Sequence, residues 1–199
     1  GEYDLAGTAT GVVERDRIIT GARIEARDLL VGIASSGLHD GGFSLAEDIL
    51  LNRARLGLND RIEELGCTLG EELLRPIRLY APAVLALLNH YKVKHVVHGV
   101  AHVARGGLTG AIEPLLPRGL LARVRKGAWG VPPVFALLAR LSGLPEEEIY
   151  RVFNMGVGMV VVVPPYNAGV ALEILRRHGE QAWVIGDIRP GRRGVVLGG

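Results

Sequence analysis

The residues best suited to chemistry in this chain are Ser35-Ser36-Gly37-Leu38-His39-Asp40-Gly41-Gly42, a glycine-rich octet between an apolar run and a helix-forming one. Backbone amides of such a loop and of a following helix can converge on an anion, and glycines let the ligand approach closely. Ser35, Ser36, Gly37 and Gly42 are therefore candidate phosphate contacts. His39 can orient a phosphate or move a proton near neutral pH. A glycine-rich β–α turn is more often only a turn, so the pattern by itself is weak. A second constellation is His98-Gly99-Val100-Ala101-His102 followed by Arg105-Gly106-Gly107. Its i, i+4 histidines have the spacing of a helical metal pair. The segment reads as a strand, however, and no third ligand stands at a recognisable spacing, so a strand-end histidine hydrogen-bonded to backbone is the better reading. Gly106 and Gly107 form a tight turn that could also meet a substrate. The third constellation is Arg151-Val152-Phe153-Asn154-Met155-Gly156-Val157-Gly158-Met159. It can present Asn154 and the amide of Gly156 to a ligand at a strand edge, or it can simply let the backbone pack tightly under the strand. Nucleophilic catalysis has little support: Cys67 lies in a polar stretch and no nucleophile-elbow pattern surrounds Ser35 or Ser36. The phosphate loop of common ATPases and the dinucleotide fingerprint are both missing.

These residues need elements to hold them. Segments 8–14 and 28–35 are β-branched and apolar between charge and glycine, so both read as strands. Ser44 and Glu47 have capping-box spacing ahead of Ile49, which predicts a helix starting after the loop. Segment 52–72 is the most polar and reads as a surface insertion. Segment 73–91 reads as one long helical region, with Pro76 and Pro82 at its start or at a kink. A buried strand is expected at 93–100, a short helix after Arg105 ended by Pro117 and Gly119, and a strand at 120–124. Helices are expected at 131–141, after Pro145 and at 166–178; strands at 157–163, 182–188 and 193–197. Strands alternating with helices argue for a layered α/β (α+β) domain, a mixed sheet with packed helices.

At 199 residues and 48% hydrophobic content the chain can bury one substantial core, and a single domain over 1–199 is expected. Its 23 basic and 21 acidic residues give +2, with no block of like charge long enough for a nucleic-acid or membrane arm. Small soluble ligands are the default. Cys67 is the single cysteine, so an intrachain disulfide and a multi-cysteine zinc site are both excluded, which fits a reducing, cytoplasmic setting. The strongest apolar run, near 157–165, is far short of a spanning helix. The chain opens on Gly1 without a helix cap or turn signal before it, which suggests a piece of something longer.

YDLAGTATGVVE, SSGLHDGGFSLAEDIL, LLRPIRLYAPAVLALL, VHGVAH, AWGVPPVF, RVFNMGVGM and GEQAWVIGDI occur in the order seen in aminoimidazole ribonucleotide synthetase, and the chain resembles the carboxyl-terminal domain of that cyclo-ligase family over essentially its whole length. RVFNMGVGM is the most specific element. Selenophosphate synthetase, thiamine monophosphate kinase and hydrogenase-maturation proteins share the two-domain plan. The resemblance implies that ATP and Mg²⁺ phosphorylate an amide oxygen of formylglycinamidine ribonucleotide, after which an internal nitrogen closes the imidazole ring. It implies that an amino-terminal domain, absent here, holds ATP and Mg²⁺, that this chain alone holds neither, and that the parent is a homodimer. By the same resemblance His39 is the active-site histidine, Ser35, Ser36 and Gly37 its loop, and Asn154, Gly156 and Gly158 the second glycine turn. The family usually has asparagine at Gly41, and its glycine turn usually reads Thr-Gly-Gly-Gly followed by Glu-Asn and an arginine. This chain has Ala104-Arg105-Gly106-Gly107, then Gly110-Ala111, with Pro114 at the arginine position. That departure keeps a second expectation open, a divergent paralogue or a non-catalytic ligand-binding module.

Overall fold

The computed structural model describes residues 6–91 and 94–198. The opening GEYDL and Val93 of the expected strand lie outside the described residues. A six-stranded sheet forms the centre, in the order β4 (Gly99–His102), β6 (Val157–Val163), β1 (Leu29–Ala34), β7 (Ala182–Pro190), β5 (Leu120–Arg125), β8 (Gly194–Gly198). Every neighbouring pair is antiparallel except β5 and β8, so the sheet is mixed. The central strands are rich in valine and isoleucine and bury both faces. Such a pattern suits a sheet covered by helices on each side.

Alternation along β1 sorts its side chains. Leu30 turns to one face, with Val160 and Val162 of β6 and Ile185 and Ile188 of β7. Against this face pack α1 (Phe43–Glu47), α4 (Gly107–Ile112), α5 (Pro133–Ser142) and α6 (Glu146–Val152), through Leu108, Ile112, Phe135, Leu138 and Ile149. Val31 and Ile33 turn to the other face with Val161 and Val163, where α3 (Ala81–His90) and α7 (Ala168–Arg177) cover them through Ala83, Leu87, Ala171 and Leu175. Burying each such aliphatic side chain contributes about 1.5–3 kcal/mol before entropy is counted. The expected layered fold with one mixed sheet is therefore present, with a helical layer on each face.

Several local expectations are corrected. Residues 8–14 form no strand; they are exposed, without regular structure, and lead into a 3-10 turn at Arg15–Arg17, and no described strand pairs with them. The predicted helix over 73–91 is interrupted. α2 (Leu69–Leu73) ends at Leu74, residues 75–80 have no regular structure, and α3 begins at Ala81, with Pro82 in its first turn where its missing N–H costs nothing. The 93–100 strand starts late, at Gly99, although His98 N already donates to Val162 O. The capping box is not at Ser44. α1 begins one residue earlier, after Gly42 in the left-handed conformation, and continues as a π-helical turn over Asp48–Arg53. The capping box stands instead at Thr68 and Glu71, each side chain bonding the other's backbone N–H, at the head of α2. Within 52–72, β2 (Arg61–Ile62) and β3 (Cys67–Thr68) form a small hairpin, and Leu69 of α2 joins the core rather than lying on the surface. Among the described residues no helix is long and apolar enough to cross a membrane.

Candidate functional site

The octet 35–42 connects the carboxyl end of β1 to α1, and two other segments hold it in shape by hydrogen bonds. The side chain of Asn154, just before β6, is 2% exposed and fully engaged. Its Nδ2 donates to Gly37 O at 2.9 Å and Leu38 O at 2.8 Å, while its Oδ1 accepts from Ser35 Oγ at 3.0 Å and from Gly156 N at 2.8 Å. Ser35 N donates to Gly156 O at 2.9 Å. The first and third sequence constellations, 119 residues apart at Ser35 and Asn154, are thus one structure, with Asn154 as the clamp. The segment before α3 supplies the other side: Ser36 Oγ donates to Pro76 O at 2.6 Å, and Tyr80 Oη donates to Ala34 O at 2.9 Å.

His39 sits inside this frame, 6% exposed, in the left-handed region at φ 58°. Ser36 N–H points at His39 Nε2, 3.2 Å away, so Nε2 acts as the acceptor and the proton of the neutral ring belongs on Nδ1. Nδ1 is buried and has no partner. Burial lowers the His39 pKa below its ordinary 6.5, and the charge of nearby His102 lowers it further; Asp40 opposes and Arg78 assists. At neutral pH the ring is therefore uncharged and offers one unsatisfied N–H, a group that costs about 1–3 kcal/mol to leave unpaired in an interior. Tyr80 and His102 flank it at ring-centroid distances of 6.2 and 6.3 Å, and lie 6.1 Å from each other. Tyr80 and His39 meet over Gly158: a Cβ there would fall on the Tyr80 hydroxyl and lie 2.8 Å from His39 Cε1.

The remaining glycines divide by job. Gly42 has φ 79°, and a Cβ on it would stand 2.7 Å from Val152 Cγ1 and 2.8 Å from Phe153 Cε1. Gly156 has φ 92° and lies against the Pro132 ring. Gly107 lies against the backbone of Tyr150, Arg151 and Phe153, which seats α4 on α6. Gly41 lies 2.6 Å, measured from an ideal Cβ, from Ala104 O, so the octet and the 104–107 turn are in contact. Gly37 is different, since a Cβ there meets Glu72 and Arg75 only at ordinary distance, 3.5 Å. Gly106 at φ 90° makes the turn into α4. A shallow cleft runs beside Asp40, Gly41, Gly42, Phe43, Ser44, Leu45 and Arg105, where amides at the start of α1 face an arginine.

Sequence reasoning named His39 but missed Tyr80 and the nearness of His102 to His39. His98 lies 2.7 Å from the buried Asp28 carboxylate, whose same oxygen also accepts from Glu25 N at 3.0 Å. The partner expected for a strand-end histidine was backbone; a carboxylate takes that place. His102 faces His39 instead. Tyr80 carried no motif, and its partner Ala34 is 46 residues away, so no local signal could have revealed it. Glu72, 4% exposed and paired with Arg75 at 2.9 Å, was likewise unseen; burial raises its pKa above 4.5, against the pull of Arg75. Among the described residues no group of three or more His, Cys, Asp or Glu side chains could hold a metal ion.

The family model described as AIR synthase related protein, C-terminal domain, matches residues 25–199. The chain belongs to this AIR synthase related family. Phosphoribosylformylglycinamidine cyclo-ligase of Pseudothermotoga lettingae is 45% identical over 196 residues, 98% of this chain and 56% of that protein. The enzyme of the same name from Bacillus subtilis is 43% identical, covering 100% and 56%. The chain therefore spans about half the length of the curated relatives it matches. Hydrogenase maturation protein HypE shares the fold at TM-score 0.62 and 22% identity, over 93% of this chain and 53% of its own. Thiamine-monophosphate kinase from Stenotrophomonas maltophilia does so at TM-score 0.59 and 16% identity, over 93% and 54%. T. maritima PurL complexed with AMPPCP does so at TM-score 0.53 and 19% identity, over 90% and 24%. The clamp joining 35–42 to 154–158 sits within the region that the AIR synthase model covers.

Proposed function

We propose that this chain is the carboxyl-terminal, substrate-side half of an ATP-dependent cyclo-ligase that converts formylglycinamidine ribonucleotide to aminoimidazole ribonucleotide, and that ATP and Mg²⁺ are held by an amino-terminal domain of the parent. The observation that carries this reading is the Asn154 clamp, which brings the two glycine motifs together around a neutral His39 with an unengaged Nδ1–H. Support comes from the cyclo-ligase relatives at 43–45% identity over nearly the whole chain. The described residues offer no acidic cluster fit for Mg²⁺, so no step is routed through metal or nucleotide on this side. What this side contributes is binding and orientation. Amides of the octet and of the start of α1 receive the ribonucleotide phosphate, with Ser35, Ser36, Gly37, Gly42, Gly106, Gly107, Asn154 and Gly156 shaping or lining that cradle. His39 donates from Nδ1 to a substrate oxygen; with Nε2 taken by Ser36 N–H, it serves as a donor rather than a base. The substrate is a small ribonucleotide, the parent a cytoplasmic homodimer, and nucleic acid and membrane are not partners.

One cradle in a half-open cleft buries little ligand, so affinity of the chain alone is expected at about 0.1–1 mM, roughly 4–5.5 kcal/mol. In an NMR titration with a ribonucleotide monophosphate, Gly37, His39 and Gly42 should shift first, with no ATP hydrolysis. Mg²⁺-dependent ATP hydrolysis by the chain alone, abolished in His39→Ala, would overturn the half-site reading. A second reading, a divergent paralogue with another phosphorylated substrate, is favoured by Arg105 in the Asp40–Leu45 cleft, where the family turn has no arginine. A panel of phosphorylated ligands separates the two: the cyclo-ligase reading requires preference for the ribonucleotide.

A further inference from the structure

We propose that segment 74–79, between α2 and α3, is a docking surface for the amino-terminal half of the parent, which seats on its exposed leucines and so borders the phosphate cradle. The proposal rests on the half-site reading in taking that missing half as the occupant. In this segment Leu74 is 84%, Ile77 46% and Leu79 82% exposed. Leu58, also exposed, lies against Gly70, whose carbonyl accepts from Leu74 N–H at 2.9 Å, and so borders the same apolar patch. Apolar side chains scattered singly over a surface are ordinary; three large ones in one short stretch mark a place where something binds. A loose segment could fold such side chains inward, but this one is pinned. Arg75 binds the buried Glu72 at 2.9 Å, Ser36 Oγ donates to Pro76 O at 2.6 Å, Arg78 binds the buried Glu180 at 3.0 Å, and Tyr80 Oη donates to Ala34 O at 2.9 Å. With Arg78 and Tyr80 committed to the body of the domain, the residues that alternate with them, Ile77 and Leu79, are left in water.

Charge, length and position choose the occupant. Both cations of the segment are already paired with carboxylates, so the patch is apolar and close to neutral, which suits a protein surface rather than a polyanion or an anionic lipid. The chain covers 56% of each cyclo-ligase relative, which leaves close to half of each relative outside the match. The segment that exposes the leucines also supplies Pro76 O and Tyr80 to the octet, so a body seated on it stands beside His39, where the half-site reading needs the nucleotide-bearing half. A second copy of this chain could cover the same leucines, but its described residues hold no acidic cluster with which to bring metal and nucleotide to the cradle.

The test compares amide hydrogen exchange in the 199-residue chain and in the full-length parent, each as wild type and as the double variant Leu74→Asp, Leu79→Asp. Exchange at 74–79 should be about tenfold slower or more in the wild-type parent than in the chain, beyond any change shared with the amides of β1, which report global opening. In the chain the double variant should leave the urea midpoint unchanged, because both leucines are already in water. In the parent it should return exchange at 74–79 to the rate of the chain and lower turnover of formylglycinamidine ribonucleotide about fivefold or more, since the two halves no longer meet in register. Equal exchange at 74–79 in chain and wild-type parent, with turnover intact, overturns the docking surface and leaves the half-site reading standing. Protection at 74–79 in a wild-type parent that does not turn over the ribonucleotide does the opposite. A fall in the urea midpoint of the double-variant chain would show that the leucines pack within the domain, and overturns the surface as well. Sedimentation of the chain decides the occupant: a dimer that the double variant dissociates assigns the leucines to a second copy and overturns the choice of the amino-terminal half.

Discussion

At the scale of single residues, Asn154 decides more than His39 does. Its amide satisfies two carbonyls and a hydroxyl of the 35–38 loop and the N–H of Gly156, and no other side chain type offers two donors and an acceptor in that arrangement. Asn154→Ala leaves these groups buried and unpaired and should cost about 3 kcal/mol or more. Asn154→Asp should be no better, because a carboxylate oxygen would then face the carbonyls of Gly37 and Leu38. Urea unfolding reads both, and loss of phosphate binding in a variant that remains folded would locate the damage in the loop. Gly158→Ala makes a separate prediction. The added methyl must push Tyr80 off Ala34 O, so a loss of about 1–3 kcal/mol is expected together with a shifted His39 resonance. An unchanged resonance would show that Tyr80 and His39 do not share the space above Gly158.

Elements carry stability that no single site residue does. α2 is only five residues long and exists because Thr68 and Glu71 cap each other, so Thr68→Ala should cost about 0.5–2 kcal/mol and loosen the segment leading to Pro76 and Tyr80. The informative measurement is hydrogen exchange at residues 69–75: if protection there equals wild type, the cap is not what holds α2. α5 is held differently, through Phe135, which is fully buried and packs on Phe153 at a centroid distance of 6.2 Å. Phe135→Ala should cost about 3–5 kcal/mol, and because Phe153 directly precedes Asn154, the same cavity should weaken the clamp.

For the whole molecule, two buried titrating groups tilt stability in opposite directions. The folded-state pKa of His39 lies below its unfolded value near 6.5, so between those values the unfolded chain binds more protons. Its contribution is complete above pH 6.5 and is lost as pH falls toward the folded value. Glu72 is the reverse: burial holds its folded pKa above 4.5, the folded chain binds more protons in that window, and stability is lost as pH rises through the folded value. Thermal unfolding from pH 4 to pH 8 should therefore show a fall in midpoint below pH 6.5 that is smaller in His39→Gln. Glu72→Gln should gain relative to wild type as pH rises above 4.5. If both variants run parallel to wild type across the range, neither group is perturbed in the folded chain.

The order of strands and helices, the buried character of β1 and β6, and the octet with His39 were legible in the sequence because they are local: alternation, apolar runs and glycine spacing act over a few residues. The family, too, was readable from motifs in order along the chain. What the sequence could not supply was anything set by distant pairing. Residues 8–14 have the composition of a strand but find no partner strand, and 73–91 has helical periodicity yet gives up its middle so that Pro76 O and Tyr80 can reach the octet. Ser44 has capping-box spacing, but a left-handed Gly42 starts the helix before it. The site follows the same rule. His39 and Asn154 were visible as motifs, but their union, the orphaned Nδ1, and the meeting of Tyr80 with His39 over Gly158 depend on β6 lying between β1 and β4, a choice made by packing two apolar faces at once and not by any short stretch of residues.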